Sequence, residues 1–580
     1  MGVAVLIAKR KALVFGDDTR SFLATVRSLG RRGVEVHVAP YDLGAPALGS
    51  RYVARVHLVP YYLGDGSAWL AAVRALVAAE RFDLIIACEE RSLLPLYRHR
   101  AAFELDCRLA IPDDAGLEAF FDKFATLELA RAVGAPVAES RLLAPNETVQ
   151  SLCADYSLPL VLKYRKSYAW SNLYVRKAAT VIGDERELER WLKNNPRDAG
   201  EVFVEAHFPG LGGGVSVLCD RGRILQAFEH HRAHELAGSS YYRRSVTLDP
   251  ARLAAVAAMV ERIAYTGLAM FEYKLDPASG NWRLLEVNAR PWGSLPLPVA
   301  LGVDFPYLLF RLLVDGVAES RRGYRAGVFG RNLIPDMWQL RSTLARNMRR
   351  PFAALCDLSA WLYEFGRVLA GREYLDLWVS DDRAPALAEL RQFARDRLLS
   401  LKPVHWLVAR FGIRRDRRRV AALGRASAAN LRIVFLCQGN ICRSPYAALR
   451  FAKVPGAGAE AGVISAGLLP RDSRPSPPAA VVAAGTLGID LAGHRSRHAW
   501  REDLELADLI VLFDDVNMRH LRARHPDLCE RAVYLGAFDP QNGGREIHDP
   551  DGKVEAVFAA TYACIDRCVE NLVRTLGARR

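Results

Sequence analysis

A cysteine followed after five residues by Arg-Ser, within FLCQGNICRSPYAALR at 435–450, is a set of groups suited to handling phosphate. The apolar run into Cys437 predicts a strand, and the residues from Arg443 onward predict a helix. A thiol delivered to a helix N-terminus lies beside free backbone N–H groups, which favour both a thiolate and an incoming phosphate dianion. Thiolate pKa values at such positions fall from ~8.5 into the range ~3.5–7.5. Arg443 can grip two phosphate oxygens in a fork. Gly439 permits a loop whose N–H groups turn inward. Asn440 tolerates a left-handed conformation and can brace that loop, and Ser444 can donate to the Cys437 sulfur as it departs. A phosphocysteine route also requires a proton for the leaving group. Asp549, ahead of the stiff Pro550 in REIHDPDGK at 545–553, is the candidate acid.

A second set lies in LLEVNARPWG at 284–293. On a strand, Glu286 and Asn288 share one face, where oxygen ligands can hold magnesium. Arg290 continues that face and is placed for a phosphate. Glu272, in MFEYKLD on the preceding strand, is the expected opposing acid. Carboxylates interleaved with Leu and Val argue against a hairpin with polar residues in solvent.

The elements that must position these groups imply several domains, since 580 residues exceed what one core supports. From Lys11 the chain reads as strand, Gly-Asp turn, amphipathic helix, the break GRRG and a second strand, and RFDLIIACEE at 81–90 is a further buried strand. This alternation predicts a Rossmann-like parallel α/β sheet over 1–118. Gly16-Asp17-Asp18 and Cys88-Glu89-Glu90 fall at strand ends, where either a ligand crevice or turn and cap chemistry accounts for them. Residues 119–325 read as α+β. The Arg-rich stretch 326–428 reads as a helical connector whose segment 404–420 alternates bulky apolar and basic residues. That segment is expected as an interdomain helix, with weak peripheral membrane contact as the alternative. After the linker AALGRASAAN a fresh α/β domain occupies 429–580.

Composition narrows the classes. Hydrophobic residues make up 51% and charged residues 25%, as in folded globular chains. No apolar run approaches the ~18 residues of a membrane span, so no integral membrane segment is expected. The apolar patch of MGVAVLIAKRK precedes its basic residues, the reverse of an export signal, and reads as a first strand. Ten cysteines without a CxxC pair exclude a zinc ribbon or disulfide scaffold and point to a reducing cytoplasm. The net charge of +14 reflects either an Arg-rich composition or attraction to an anionic partner such as nucleotide, phosphoprotein or membrane surface. Nucleic acid is not among the expected partners.

CQGNICRSP, SAG at 465–467, GIDLAGHRSR at 488–497, ADLIVLFD at 507–514 and HDP at 548–550, in that order, resemble the low-molecular-weight protein tyrosine phosphatases. The resemblance implies a flavodoxin-like sheet, Cys437 as nucleophile, Arg443 as phosphate clamp and Asp549 as general acid. It makes Cys442 the second loop cysteine, able to trap an oxidised nucleophile as a disulfide. Tyrosine-specific members place tyrosines after Asp-Pro, where this chain has Asp551-Gly552, so the aromatic wall is weakened. Ile441 fits the tyrosine type, which keeps a phosphotyrosine protein as the expected substrate.

Upstream, DKFATLELARAVGAP and PLVLKY together with the 284–293 set resemble the ATP-grasp superfamily, in particular its carboxylate–amine ligase-like members. This likeness implies that Lys123 and Lys163 contact ATP phosphates and that Glu205 lies in the hinge meeting adenine and ribose. Glu272, Glu286 and Asn288 would hold Mg2+, or Mn2+ in its place, and Arg290 would steady the reacting phosphate. FEHHRAHE at 228–235 falls where an acceptor pocket is shaped, with His231, Arg232 and Glu235 as candidates. The loop YRKSYAWSNLY after Lys163 lacks the glycines that usually let it fold over phosphates. The expected function is bifunctional: ligation of a small-molecule carboxylate to an amine through an acyl phosphate, and phosphatase chemistry. The alternative makes the ATP-grasp part a nucleotide sensor regulating the phosphatase. A third reading, a phosphoprotein-docking module, leaves Asp549 without a role.

Overall fold

The computed structural model describes residues 9–195, 200–236, 239–319, 323–426, 431–456, 462–541 and 544–577. The strand expected over the first apolar patch lies outside these residues. The chain divides into two compact units, one of residues 1–40 and 45–390 and the other of 41–44 and 391–580.

In the first unit, β1 (Lys11–Phe15), β2 (Glu35–Ala39), β3 (Val53–Val56), β4 (Leu84–Ala87) and β5 (Arg108–Ala110) form a sheet of order β3-β2-β1-β4-β5. Every pairing is parallel, which gives the Rossmann-like order. The order reverses between β1 and β4, so the crevice at their carboxyl ends is flanked by α1 (Ser21–Arg31) and α2 (Glu90–Arg98). Val, Ile and Leu fill both faces of this sheet, as burial by helices on each side requires.

After α3 (Lys123–Ala132) comes a small antiparallel sheet of β6 (Ser140–Leu142), β7 (Leu160–Tyr164), β8 (Thr180–Ile182) and β9 (Val202–Ala206), in the order β6-β9-β7-β8. A larger sheet follows from β10 (Leu211–Asp220), β11 (Arg223–Leu236), β12 (Ser239–Val246), β13 (Gly267–Leu275), β14 (Trp282–Asn288), β15 (Phe329–Arg331) and β16 (Glu373–Leu375). Its order is β14-β13-β10-β11-β12-β15-β16. α4 (Pro250–Arg262) packs on one face through Val256, Met259 and Val260, beside Phe271 and Tyr273.

The stretch 326–428, expected as one helical connector, is divided. β15 and β16 extend the large sheet by pairing with β12 and with each other. Strands of three residues carry no readable periodicity; edge pairing and the buried ion pair of Arg331 Nε with Glu373 Oε1 (2.5 Å) hold them. α5 (Leu333–Arg346) and α6 (Pro351–Leu369) lie between them in the chain. α7 (Lys402–Ala426) belongs to the second unit, with Val420 fully buried in its core and Asp416 accepting from the Tyr534 N–H (3.2 Å).

The second unit is built on β17 (Arg432–Cys437), β18 (Gly462–Gly467), β19 (Leu509–Leu512) and β20 (Ala532–Tyr534), all parallel, in the order β18-β17-β19-β20. This is the flavodoxin-like arrangement. α8 (Arg443–Lys453), α9 (Asp515–Arg524) and α10 (Glu555–Gly577) connect or cover the strands. Among the described residues no helix is long and apolar enough to cross a membrane.

Candidate active sites

In the second unit, β17 delivers Cys437 at its buried end, beside the first turn of α8. The backbone N–H of Asn440 points at the Cys437 sulfur (3.2 Å), and Ser444 Oγ lies 3.1 Å from the same atom. Asn440 adopts φ +51°, the left-handed region. Its amide donates to Ser444 Oγ and to Ser465 Oγ, both at 3.0 Å, and its side-chain oxygen accepts from Arg497 N–H (2.9 Å). One side chain thus ties the loop to β18 and to the segment that follows it. A side chain at Gly439 would run into Arg474, whose guanidinium donates to the Gly439 carbonyl (2.7 Å).

Arg443 is buried, and two carboxylates hold it. It donates to Asp514 Oδ2 (2.5 Å), to the Ile547 carbonyl (2.8 Å) and to Asp549 Oδ2 (2.6 Å), while its Nε has no partner. Asp549 itself is exposed, at the rim. Asp514, which also caps α9, lies in the quoted ADLIVLFD segment but was not expected at the site; its role appears only when β19 is laid beside β17. Cys442 is buried behind the loop, and burial, with Asp551 next, pushes its thiol well up, so it stays protonated at neutral pH. Asp551 is exposed and Gly552 adopts φ +73°, so no ring stands there. The arrangement can seat a phosphoryl group between a sulfur nucleophile, the inward N–H of Asn440 and a guanidinium.

In the first unit the charged set is assembled from four segments. Lys163 on β7 donates to Glu205 Oε1 on β9 (2.7 Å). Glu205 is buried and its second oxygen, Oε2, has no partner, leaving it free for an N–H donor such as a purine amino group. Lys123 opens α3, where Asp122 caps the helix and is gripped by Arg165 Nε (2.8 Å). Its ammonium stands 3.7 Å from Glu286 Oε2. Glu286 and Glu272 are directly opposed across β14 and β13. Asn288 donates to Glu272 Oε1 (2.9 Å), and Arg290 donates to Asn288 Oδ1 (3.3 Å).

Burial pushes both acids of this pair up, with different outcomes. At Glu286 the neighbouring Lys123, Lys163 and Arg176 outweigh burial and hold the carboxyl below its ordinary range. At Glu272 burial prevails over Arg232, and Glu286 adds to it, so the carboxyl is raised. Two carboxylates and an amide oxygen within reach of one another form an oxygen donor set that suits a hard divalent cation. Mg2+ fits this set.

The acceptor candidates separate. Arg232 forms an ion pair with Glu272 and donates to Glu235 Oε1 (3.3 Å), so both sit over the cation set. This close approach needs glycine at 212, because a side chain there would meet Glu235 and Arg232. His231 does not join them. Strand alternation turns it to the opposite face of β11, beside Glu229 (3.9 Å) and edge-on to the Tyr273 ring.

Three further neighbours border this site. Arg176 faces Glu286; Arg290 reaches Glu90 Oε1 (3.5 Å) at the start of α2; and Ser167 lines the same cleft. Glu90 sits at the β1/β4 reversal, so the crevice of the first sheet opens toward Arg290. Next to it, burial pushes the Glu89 carboxyl up to about 7 despite Arg91, with Asp17 adding to the rise. Asp18, by contrast, is turn and cap chemistry: it accepts from the N–H groups of Arg20, Ser21 and Phe22. The glycine-free loop after β7 is anchored, with Leu173 buried in the first sheet's core and the Tyr174 hydroxyl accepting from Tyr62 N–H (2.6 Å). A cavity of about 420 Å³ adjoins it, lined among others by Glu90, Tyr97, Glu118, Tyr168 and Trp170.

Comparison with known proteins finds relatives of both units. Residues 432–580 match the family of low molecular weight phosphotyrosine protein phosphatases, and 200–329 match the family described as ATP-grasp in the biosynthetic pathway with Ter operon. The probable low molecular weight protein-tyrosine-phosphatase EpsP of Ralstonia solanacearum is 34% identical over 147 residues, 25% of this chain and 96% of its own. Wzb of Escherichia coli K12, also a low molecular weight protein-tyrosine-phosphatase, is 29% identical over 148 residues, 26% of this chain and 97% of its own. Among solved structures, the L-amino acid ligase of Bacillus licheniformis overlays with a TM-score of 0.40 at 17% identity, over 55% of this chain and 78% of that one. Through its second unit the chain belongs to the low molecular weight phosphotyrosine protein phosphatase family, fused behind an ATP-grasp domain.

Proposed function

We propose that the chain is a bifunctional cytoplasmic enzyme, an ATP-dependent carboxylate–amine ligase joined to a phosphatase that acts on phosphotyrosine protein. The observation that carries the phosphatase half is the convergence of Asn440 N–H, Ser444 and Arg443 around Cys437, with Asp549 at the rim. Cys437 would attack phosphorus while Asp549 gives a proton to the leaving oxygen. Ser444 would stabilise the sulfur when water releases phosphate.

The ligase half rests on Glu272 facing Glu286 with Lys123 and Lys163 close by. Glu272, Glu286 and Asn288 would hold Mg2+, for which Mn2+ could substitute, and the bound ion supplies charge neutralisation at the ATP phosphates. The lysines and Arg290 would orient the γ-phosphoryl group toward a substrate carboxylate. The free oxygen of Glu205 would accept from the adenine amino group. An acyl phosphate would form with release of ADP, and an amine would then displace phosphate to give an amide. Boundaries near 118, 325 and 428 would separate the Rossmann-like domain, the ATP-grasp domain, the connector and the phosphatase, with β15 and β16 of the connector joining the ATP-grasp sheet and α7 joining the phosphatase unit.

A second reading, ATP binding that regulates the phosphatase without turnover, is favoured by one observation. The loop after Lys163 is anchored by Leu173 and Tyr174 instead of free to close. The deciding experiment measures ADP release by the full chain with Mg-ATP and panels of amino acids and sugar acids, beside Glu286→Ala and Cys437→Ser. Acceptor-dependent turnover lost only in Glu286→Ala supports the ligase. ATP binding without turnover under any acceptor, together with an ATP effect on phosphatase rate, supports the sensor.

A further inference from the structure

The helix α6 has its polarity reversed. Over Pro351–Leu369 none of its residues is fully buried. Its three charged residues all lie at half-buried positions and are engaged there. Asp357 accepts from Asn347 (2.7 Å), Glu364 lies 3.8 Å from Arg331, and Arg367 donates to the Tyr242 hydroxyl (2.8 Å). The exposed positions are uncharged throughout, from Phe352, Leu355 and Cys356 to Ser359, Leu362, Tyr363, Gly366 and Leu369. The large ones are widely open: Phe352 is 79% exposed, Tyr363 78% and Leu369 92%. A surface helix of a water-soluble fold places its charges outward; this one places them inward.

At the N-terminal end of that stripe, the turn joining α5 to α6 reads RNMRRP. Arg346, Arg349 and Arg350 are exposed there around Met348, which is 78% exposed. Trp338 of α5, 41% exposed, carries the Arg341 guanidinium over its ring at 5.7 Å. A helix rich in outward aromatic and aliphatic side chains, bordered by arginines, has the composition of an element that lies in the headgroup region of a bilayer. The charge decides between occupants. Three arginines at one tip of a chain carrying a net +14 disfavour a second copy and favour an anionic partner. The uncharged stripe beside them calls for an apolar surface. An anionic lipid bilayer offers both.

We infer that the α5–α6 hairpin docks this chain on an anionic membrane surface, with the outward stripe of α6 in the headgroup layer and the arginines of the turn on lipid phosphates. The inference stands apart from either catalytic reading, because none of these residues belongs to the two sites.

The test is flotation of the full chain with phosphatidylcholine vesicles, with and without phosphatidylglycerol, at low and high salt. Binding to the phosphatidylglycerol vesicles, reduced by salt, is expected. Arg346→Gln, Arg349→Gln and Arg350→Gln combined should weaken it about a hundredfold, at about fivefold for each arginine. Phe352→Glu with Leu362→Glu should weaken it by more than about tenfold. Both variants alter exposed positions, and unchanged thermal unfolding and phosphatase turnover verify that they fold. Absence of vesicle binding overturns the inference, as does binding that both variants retain. Self-association that the Phe352→Glu and Leu362→Glu variant abolishes, without vesicle binding, overturns it in favour of a second copy.

Discussion

The two phosphate-handling sites are built in opposite ways. In the phosphatase unit nearly every group comes from one loop, Cys437 to Ser444, and the backbone N–H of Asn440 and the Ser444 hydroxyl both approach the sulfur. In the ATP-grasp part the groups come from the start of α3 and from β7, β9, β13 and β14, and only sheet register brings them together. Both nonetheless rest their buried cations on carboxylates. Arg443 lies on Asp514 and Asp549, Lys163 on Glu205, and Lys123 near Glu286. A phosphate group entering either site would therefore compete with an internal carboxylate. The contiguous site can be damaged only locally, whereas the distributed one is open to any change that shifts a strand.

The largest expected effect separates the two outright. Cys437→Ser should lower turnover of p-nitrophenyl phosphate by at least about 10⁴-fold and leave Mg-ATP affinity unchanged; loss of both would mean that the sites are not independent. Asp549→Asn should lower the same turnover by about 10²–10⁴-fold, with the larger loss on substrates whose leaving group is a poor one. A uniform loss across leaving groups would instead assign Asp549 to holding Arg443. At the distributed site, Glu286→Ala should lower affinity for Mg-ATP by about 10–100-fold, read by calorimetry, with no change in phosphatase rate.

Glu89 offers a smaller, pH-dependent effect confined to the first unit. Its folded carboxyl titrates at about 7 against an ordinary value of 4.5. The folded form thus holds the proton more tightly, so stability is greatest at the acid end of this window and falls as pH rises toward about 7. Glu89→Gln should remove that decline, leaving the first unit more stable at pH 7–8 by on the order of 1–2 kcal/mol. Thermal unfolding across pH reads this, and an unchanged slope would show that Arg91 keeps Glu89 ionised. The smallest change belongs at the phosphatase mouth. Asp551→Tyr should raise kcat/KM on phosphotyrosine peptides a few-fold, by about 1 kcal/mol of aromatic contact. No gain would mean that the ring is held elsewhere.

The contiguous site was legible because its chemistry is local. A strand, a glycine, an asparagine able to take φ +51° and a helix N-terminus are readable from adjacent residues. Glu272, Glu286 and Asn288 were legible for a related reason: a period of two along a strand places them on one face, and hairpin pairing opposes the acids. Arg176 and Asp514 were not legible, since each meets its partner through a fold-back that no spacing encodes; Glu90 was legible as a strand-end residue, but its contact with Arg290 was not. His231 shows the limit within a single strand, where three candidates were named but alternation sends only Arg232 and Glu235 to the site.

Sequence by itself determined the two families' signatures, the order of sheets and most of the side chains that meet at each site, because these follow from local periodicity and residue chemistry. Tertiary structure alone decided which cations rest on which carboxylates and that Glu272 and Glu286 shift in opposite directions. It also decided that β15 and β16 close one edge of the large sheet and that α6 turns its charges inward. The physical reason is distance along the chain. Electrostatic coupling, edge pairing and burial depend on which residues become neighbours in space, and over a hundred residues or more that is set by packing, not by spacing.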